Sequence, residues 1–299
     1  MKLFFKDKKK LLMLSLFVVV TLVACTNPRD TATGEIIPKY LITLDTSFGT
    51  MMNLGWFDGL IVWPISQLIN LIAGFTDAGI SIIIVTMLLQ LVTSAFTIKS
   101  QVSSQRMQML QPEMNKIQAK YAGKKDDRSK MMMAQETQAL YSKYKINPFG
   151  TIIAMFIQFP IILGVYQATQ RAEAVVYGAF LGIDLTVTPI DGMKAGVPAY
   201  IIIFVCMVVA QFLSMKFPQW QQKYKEKHSK VKRKKYAEPA KAGNGMANSM
   251  NMMMYFSLAM VAFLAINWPI SMSFYWLVSS VARIIQNIVI NKFFIKDEA

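Results

Sequence analysis

An arginine stands inside a long apolar run near the C-terminus: Arg283, in the segment ISMSFYWLVSSVARIIQNIVI. A charge at the centre of a bilayer costs about 2.5–3.5 kcal/mol on insertion scales, so such a group normally faces protein or water. The segment ends at Asn291, which places Arg283 roughly 12 Å from that end by helical rise. In a second apolar segment, TMLLQLVTSAF, Gln90 lies equally far from its end at Ile98. The matched depths predict one shared polar cavity. Thr86, Thr93, Gln158, Gln211, Ser279, Ser280, Gln286 and Asn287 add further hydrogen-bonding groups within apolar sequence. Each alone can simply bind helices together. So many in one half of the spans favour a hydrated pocket that opens to one side.

The chemistry on offer is hydrogen bonding and attraction of acidic groups, not bond-making. The chain has a single histidine, His228, and no GxxxxGK[ST] or GxSxG motif. No pair of intramembrane carboxylates offers acid and base. The expectation is a non-enzyme with no cofactor and no metal.

The elements that must hold these residues are transmembrane. Hydrophobic residues make up 54% of the 299-residue chain and its mean hydropathy is +0.36, too apolar for an ordinary soluble domain. The reading is an all-α integral membrane protein with a five-span core, a cytoplasmic helical hairpin and an N-terminal interfacial helix. Spans are assigned to 77–98, 148–170, 197–215, 251–267 and 270–291. The formal net charge of +15 sits in loops rather than on one face, which makes it a topology signal before a nucleic-acid signal. Residues 99–147 and 216–249 hold ten Lys and Arg each, against two each in 26–78 and 171–196. The first pair is therefore cytoplasmic, as is the tail 292–299, and 171–196 is an external loop.

Residues 1–24 combine a basic start with an apolar run and lead to Leu22-Val23-Ala24-Cys25, the pattern of a lipoprotein signal peptide cleaved before a lipid-bearing cysteine. Cys25 is the expected site of lipid (palmitate) attachment on the external face, independently of the charge count. Residues 25–54 show no strong period and read as a tether. Across 55–76, Asp58 is placed to cap an amphipathic helix whose Leu60, Trp63, Leu68 and Ile72 oppose Ser66, Gln67 and Asn70. This helix is too short to span. Residues 216–250 are lysine-dense and read as a mobile basic loop.

Between the first two spans, 99–147 has the pattern of a helical hairpin. Met107, Leu110, Met114, Ile117 and Tyr121 recur at three and four residues, Pro112 should kink or restart that helix, and Gly123 can end it in the left-handed region. Asp126 or Asp127 can cap the return helix, which carries Met133, Leu140 and Tyr144. Packing of these stripes on each other is expected, with methionines from the set Met107, Met109, Met114, Met131, Met132 and Met133 left as a soft surface for apolar segments.

Together these residues carry a resemblance. Thr97-Ile98-Lys99, Leu110-Gln111-Pro112-Glu113, Tyr121 before Gly123-Lys124-Lys125, and Leu140-Tyr141 with Asn147-Pro148 are similar to the YidC insertases of bacteria, relatives of the Oxa and Alb proteins of organelles. Gln158-Phe159-Pro160 with Tyr166, and Tyr275-Trp276 with Gln286, add to it, and the lipoprotein form is the one common in Gram-positive bacteria. The resemblance covers about residues 55–291. It implies a hydrophilic groove that guides nascent membrane proteins from cytoplasm to bilayer without nucleotide hydrolysis. Membrane lipids are implied contacts, the Sec translocase, ribosome and signal recognition particle pathway are candidate partners, and no small-molecule substrate is implied. Where such insertases usually place a groove arginine, this chain has Gln90, so Arg283 is the expected source of positive charge. A solute transporter using the polar pocket and a non-inserting assembly scaffold are the competing readings. No internal repeat of the transporter kind is evident.

Overall fold

The computed structural model describes residues 27–30, 32–124, 126–144, 146, 150–228 and 245–294. Cys25 with its signal-like segment, Asn147-Pro148 and the most lysine-dense part of 216–250 lie outside the described residues. The described chain is almost entirely helical. Its elements are α1 (Phe48–Leu54), a π-helical turn (Asp58–Val62), α2 (Trp63–Ala73), α3 (Ala78–Met109), α4 (Gln111–Tyr121), α5 (Asp127–Lys143), α6 (Gly150–Arg171), α7 (Glu173–Val176), α8 (Pro189–Lys194), α9 (Pro198–His228), α10 (Gly245–Asn267) and α11 (Ile270–Phe293). Two strands, β1 (Ala179–Phe180) and β2 (Ile183–Asp184), form a minimal antiparallel hairpin between α7 and α8. Among the described residues three helices are long and apolar enough to cross a membrane: α3, α9 over Pro198–Gln221, and α11.

Two compact units make up the chain. One holds residues up to Leu91, Met155–Met207 and Ala265–Ser279; the other holds Val92–Ala154, Val208–Leu264 and the chain from Ser280 onward.

In the first unit, the stretch expected to be a plain tether is built in. Ser47 caps α1 by accepting from the Thr50 amide, Met51 is fully buried, and Ile42 bridges to Ala172 through paired backbone bonds. In α2 the buried face is mixed: Ile65, Ser66, Ile69 and Asn70 are buried while Leu68 and Leu71 are exposed. Asn70 can be buried because its Nδ2 donates to the Ile42 carbonyl (2.7 Å) and its Oδ1 accepts from the Ala174 amide (3.0 Å). Asp58 does not cap the helix, because its carboxylate is taken by Arg171.

The segment 171–196 closes over the start of α11. The amides of Ile270 and Ser271, which no helical carbonyl can reach, donate to the carbonyls of Val187 (2.9 Å) and Leu185 (3.2 Å). Tyr200 bonds the Asp184 carbonyl (3.0 Å), and its ring lies where a side chain on Gly192 would stand. Trp268, in the turn before α11, packs against Tyr166 (4.4 Å between centroids) and stacks with Trp276 (5.6 Å).

In the second unit, α3 continues helical to Met109, past the residue 98 limit set by hydropathy, and α9 runs on to His228 where a mobile loop was expected from residue 216. A fall in hydropathy marks the end of an apolar span and does not by itself end a helix. The chain breaks at Leu110 and restarts with Pro112 in the first turn of α4, where the missing amide hydrogen costs nothing. Gly123 takes φ +84° and the Asp126 carboxylate caps α5 at the Ser129 amide (2.8 Å).

Candidate functional site

The polar residues singled out from the sequence fall into two sets, one in each unit. In the first unit, Gln90 of α3 donates from Nε2 to the Ser279 hydroxyl (2.9 Å), and Gln158 of α6 donates to the Tyr275 hydroxyl (2.8 Å). Tyr275 and Ser279 stand one turn apart on α11 and so share a helix face. Thr86, a turn before Gln90 on α3, is buried. Neutral hydrogen bonds of this kind hold spans together at a modest gain each, on the order of 0.6–2 kcal/mol.

The second unit holds the charge. Gln211 of α9 is buried, and its Oε1 accepts from the Ser280 hydroxyl (2.6 Å) and from Nη2 of Arg283 (2.5 Å). Arg283 donates again to the Ser280 oxygen (3.1 Å). Both acceptors are neutral, and they orient the half-buried guanidinium through hydrogen bonds that its charge strengthens. Further along α11, Gln286 donates to Ser94 of α3, and Asn287 accepts from Gln105 of α3. Thr93 is buried, and its carbonyl accepts from the Thr97 hydroxyl (2.8 Å). Gln90 thus bonds Ser279 in the first unit, and Arg283 bonds Gln211 and Ser280 in the second.

The sequence reading missed several partners. Ser94 and Gln105 attracted no notice, because one is small and the other follows the apolar run. Tyr275 was picked out only through the family resemblance. The largest omission is Arg171, almost fully buried at 1% exposure and paired with the equally buried Asp58. Its guanidinium also lies 5.0 Å from the ring centroid of Tyr40. The nearest signal for it was an isolated Arg beside an apolar segment, which reads as an interface residue.

The hairpin α4–α5 is closed by its own side chains. Glu136 receives Lys120 in an ion pair and the Tyr121 hydroxyl (2.8 Å), Tyr144 donates to Glu113 (3.0 Å), and Tyr141 reaches the Met114 sulfur (3.4 Å). The bond from Lys120, then that from Tyr121, holds the Glu136 carboxyl below the usual carboxylate range, and the same contact raises both Lys120 and Tyr121. Met114 is buried at 4% exposure, so it belongs to the hairpin's interior and is withdrawn from the contact surface the sequence suggested. Met107 and Met133 are partly covered, while Met109, Met131 and Met132 are exposed. Among the described residues no cluster of His, Cys, Asp or Glu could hold a metal ion.

Comparison with known proteins places these residues in context. The family described as 60Kd inner membrane protein matches residues 68–298. The membrane protein insertase MisCA of Bacillus subtilis (strain 168) is 34% identical over 238 residues, 79% of either chain. The membrane protein insertase YidC 2 of Bacillus anthracis is 28% identical over 282 residues, covering 93% of this chain and 92% of its own length. A membrane protein insertase YidC 1 of Streptococcus pyogenes serotype M3 is 27% identical over 261 residues, 86% of this chain and 83% of its own.

Proposed function

The chain belongs to the 60Kd inner membrane protein family, whose relatives are the membrane protein insertases, and from that premise we propose how its polar residues serve insertion. The protein is a bacterial membrane protein insertase acting on nascent membrane proteins. Its task is energetic: a client's polar flank costs several kcal/mol to move through hydrocarbon, whereas its apolar segment partitions into lipid unaided. The observation that carries the reading is Arg283, a cation within an apolar helix, held by the neutral acceptors Gln211 and Ser280. With Thr93, Gln286 and Asn287 it offers acidic client flanks an attractive, hydrogen-bonding foothold, and no nucleotide is hydrolysed. In the other unit Gln90, Thr86, Gln158 and Ser279 provide neutral hydrogen-bonding groups at spans that the client passes.

The exposed Met131 and Met132 of α5, with Met109 at the end of α3, suit first reception of an apolar segment, since methionine repacks against many shapes. The concentration of Lys and Arg supports a topology with the hairpin and the segment after α9 on the cytoplasmic side and five spans in all. Lipid attached to Cys25 anchors the opposite face. The Sec translocase, the ribosome and the signal recognition particle pathway are the partners this topology would meet as clients arrive.

Reconstitution of the purified protein alone in liposomes, with a single-span client bearing an acidic translocated tail, tests the reading by protease protection of that tail. The wild-type chain should protect it, Arg283→Ala should abolish protection, and Arg283→Lys should retain part. Full activity of Arg283→Ala would refute the role of the arginine, and solute leakage without protected client would favour a transporter.

A further inference from the structure

The β1–β2 hairpin pairs Ala179 with Asp184 and Phe180 with Ile183, so its turn consists of Leu181 and Gly182 alone. Both have positive φ, 52° and 75°, as in a type I′ turn. That turn favours Asn, Asp or Gly at its first position, and a leucine there is strained by its Cβ. Leu181 is the sole non-glycine residue with positive φ among the described residues, and it is 83% exposed. A strained backbone bearing an exposed apolar side chain asks what the side chain meets.

The hairpin's seat answers where the tip lies. The Phe180 ring occupies the space a side chain on Gly79 would need, 2.2 Å from that Cβ position, and packs edge-on against Phe274 at 5.2 Å. Gly178 abuts the Ala78 side chain. Both contacts are in the first turn of α3, which starts where the Asp77 carboxylate caps the Ile80 amide (2.9 Å). The tip is thereby fixed at the level where α3 begins. Flanking the same turn, Tyr177 is 71% and Phe75 86% exposed. From Tyr177 to Gly182 there is no charged residue. From that same first turn, Ile80, Ile84 and Met87 of α3 are also exposed and, at spacings of four and three, share one helix face.

We propose that Leu181, Tyr177 and Phe75 form an interfacial anchor that sits at the boundary between headgroups and acyl chains, in the leaflet where α3 begins. Tyr is suited to that boundary by its apolar ring and polar tip, and Leu181 extends below it. The anchor sets the depth of the segment that caps α11, because the same stretch of chain carries the carbonyls of Leu185 and Val187.

A spin label at Leu181→Cys in the full-length reconstituted protein tests this, with the identically labelled parent chain subtracted for Cys25 and Cys206. Relaxation by oxygen should exceed relaxation by a water-soluble nickel chelate. Greater nickel than oxygen accessibility would overturn the anchor in favour of water, and low accessibility to both would overturn it in favour of a protein contact. Leu181→Asn separates strain from function, since asparagine suits the turn. Its melting temperature in detergent should not fall, while a label at Tyr177→Cys should become at least twofold more accessible to nickel. Unchanged accessibility in that variant would also defeat the proposal.

Discussion

Asp58 and Arg171 stand 113 positions apart in the chain and meet as an ion pair, with both side chains almost wholly removed from solvent. The pair joins the π-helical turn before α2 to the last residue of α6. Desolvating two charges offsets much of their attraction, so the intact pair is not by itself a large source of stability. Losing one member is a different matter, since it strands a buried charge.

Asp58→Ala should therefore destabilise the protein by about 3–5 kcal/mol. The double replacement Asp58→Leu with Arg171→Met should recover most of that loss. Denaturant titration in detergent micelles measures both. A harmless Asp58→Ala would mean that water reaches Arg171 and the pair is not sealed.

Gln211 holds Arg283 without cancelling its charge, so it acts as a positioning residue. Gln211→Leu removes the acceptor shared by Ser280 and the guanidinium while keeping the volume similar. A hydrogen bond to a charged group is worth about 1.5–3 kcal/mol, so insertion of clients with acidic tails should drop by roughly one to two orders of magnitude. Clients with neutral tails should be affected much less, and that contrast between client classes is the readout that a general packing defect would not give. Gln90→Ala, which removes a bond to Ser279, should be milder than Arg283→Ala for the acidic clients.

The hairpin should respond to acid. Glu136 is held below its usual range by Lys120 and Tyr121, so its contribution is present above the unfolded pKa of about 4.3 and is lost as pH falls below it through the lower folded value. Lys120 and Tyr121 are raised, so their share persists below the ordinary values of those groups and fades only in strong alkali. Pairing of α4 with α5 should thus be constant between about pH 5 and 9 and loosen below about pH 4. Paired spin labels on the two helices would report the separation. Loosening that begins at pH 6 would point to a different titrating group.

Local features were legible from residue types alone. Gly123 in the left-handed region, Pro112 at a helix restart and Asp126 at a cap each follow from the conformational needs of one residue and its neighbours. The presence of Arg283 within apolar sequence was equally plain, because a buried charge breaks the hydropathy pattern. Partners were not legible. Asp58 reads as a helix cap since nothing in its vicinity hints at Arg171, and nothing near Asn70 in sequence points to its partners Ile42 and Ala174.

Helix ends beyond the apolar spans are not legible in hydropathy for a related reason. The extension of α3 to Met109 and of α9 to His228 depends on backbone propensity, which hydropathy does not measure. Membrane proteins also weaken the usual inference from amphipathicity. In α2 the buried face mixes Ile65 and Ile69 with Ser66 and Asn70, and Asn70 can join it because its amide meets a backbone carbonyl and a backbone amide.

The carbonyls of Leu185 and Val187 complete the first amides of α11. A connection between spans is ordinarily the place where a lineage can add or drop residues at little cost. Here one residue gained or lost between Leu185 and Thr188 would shift both acceptors out of register with a helix end that has no water to replace them. Length variation among descendants of this chain should therefore collect in other connections, and a tag or reporter domain grafted into 185–188 should be the one that fails to fold.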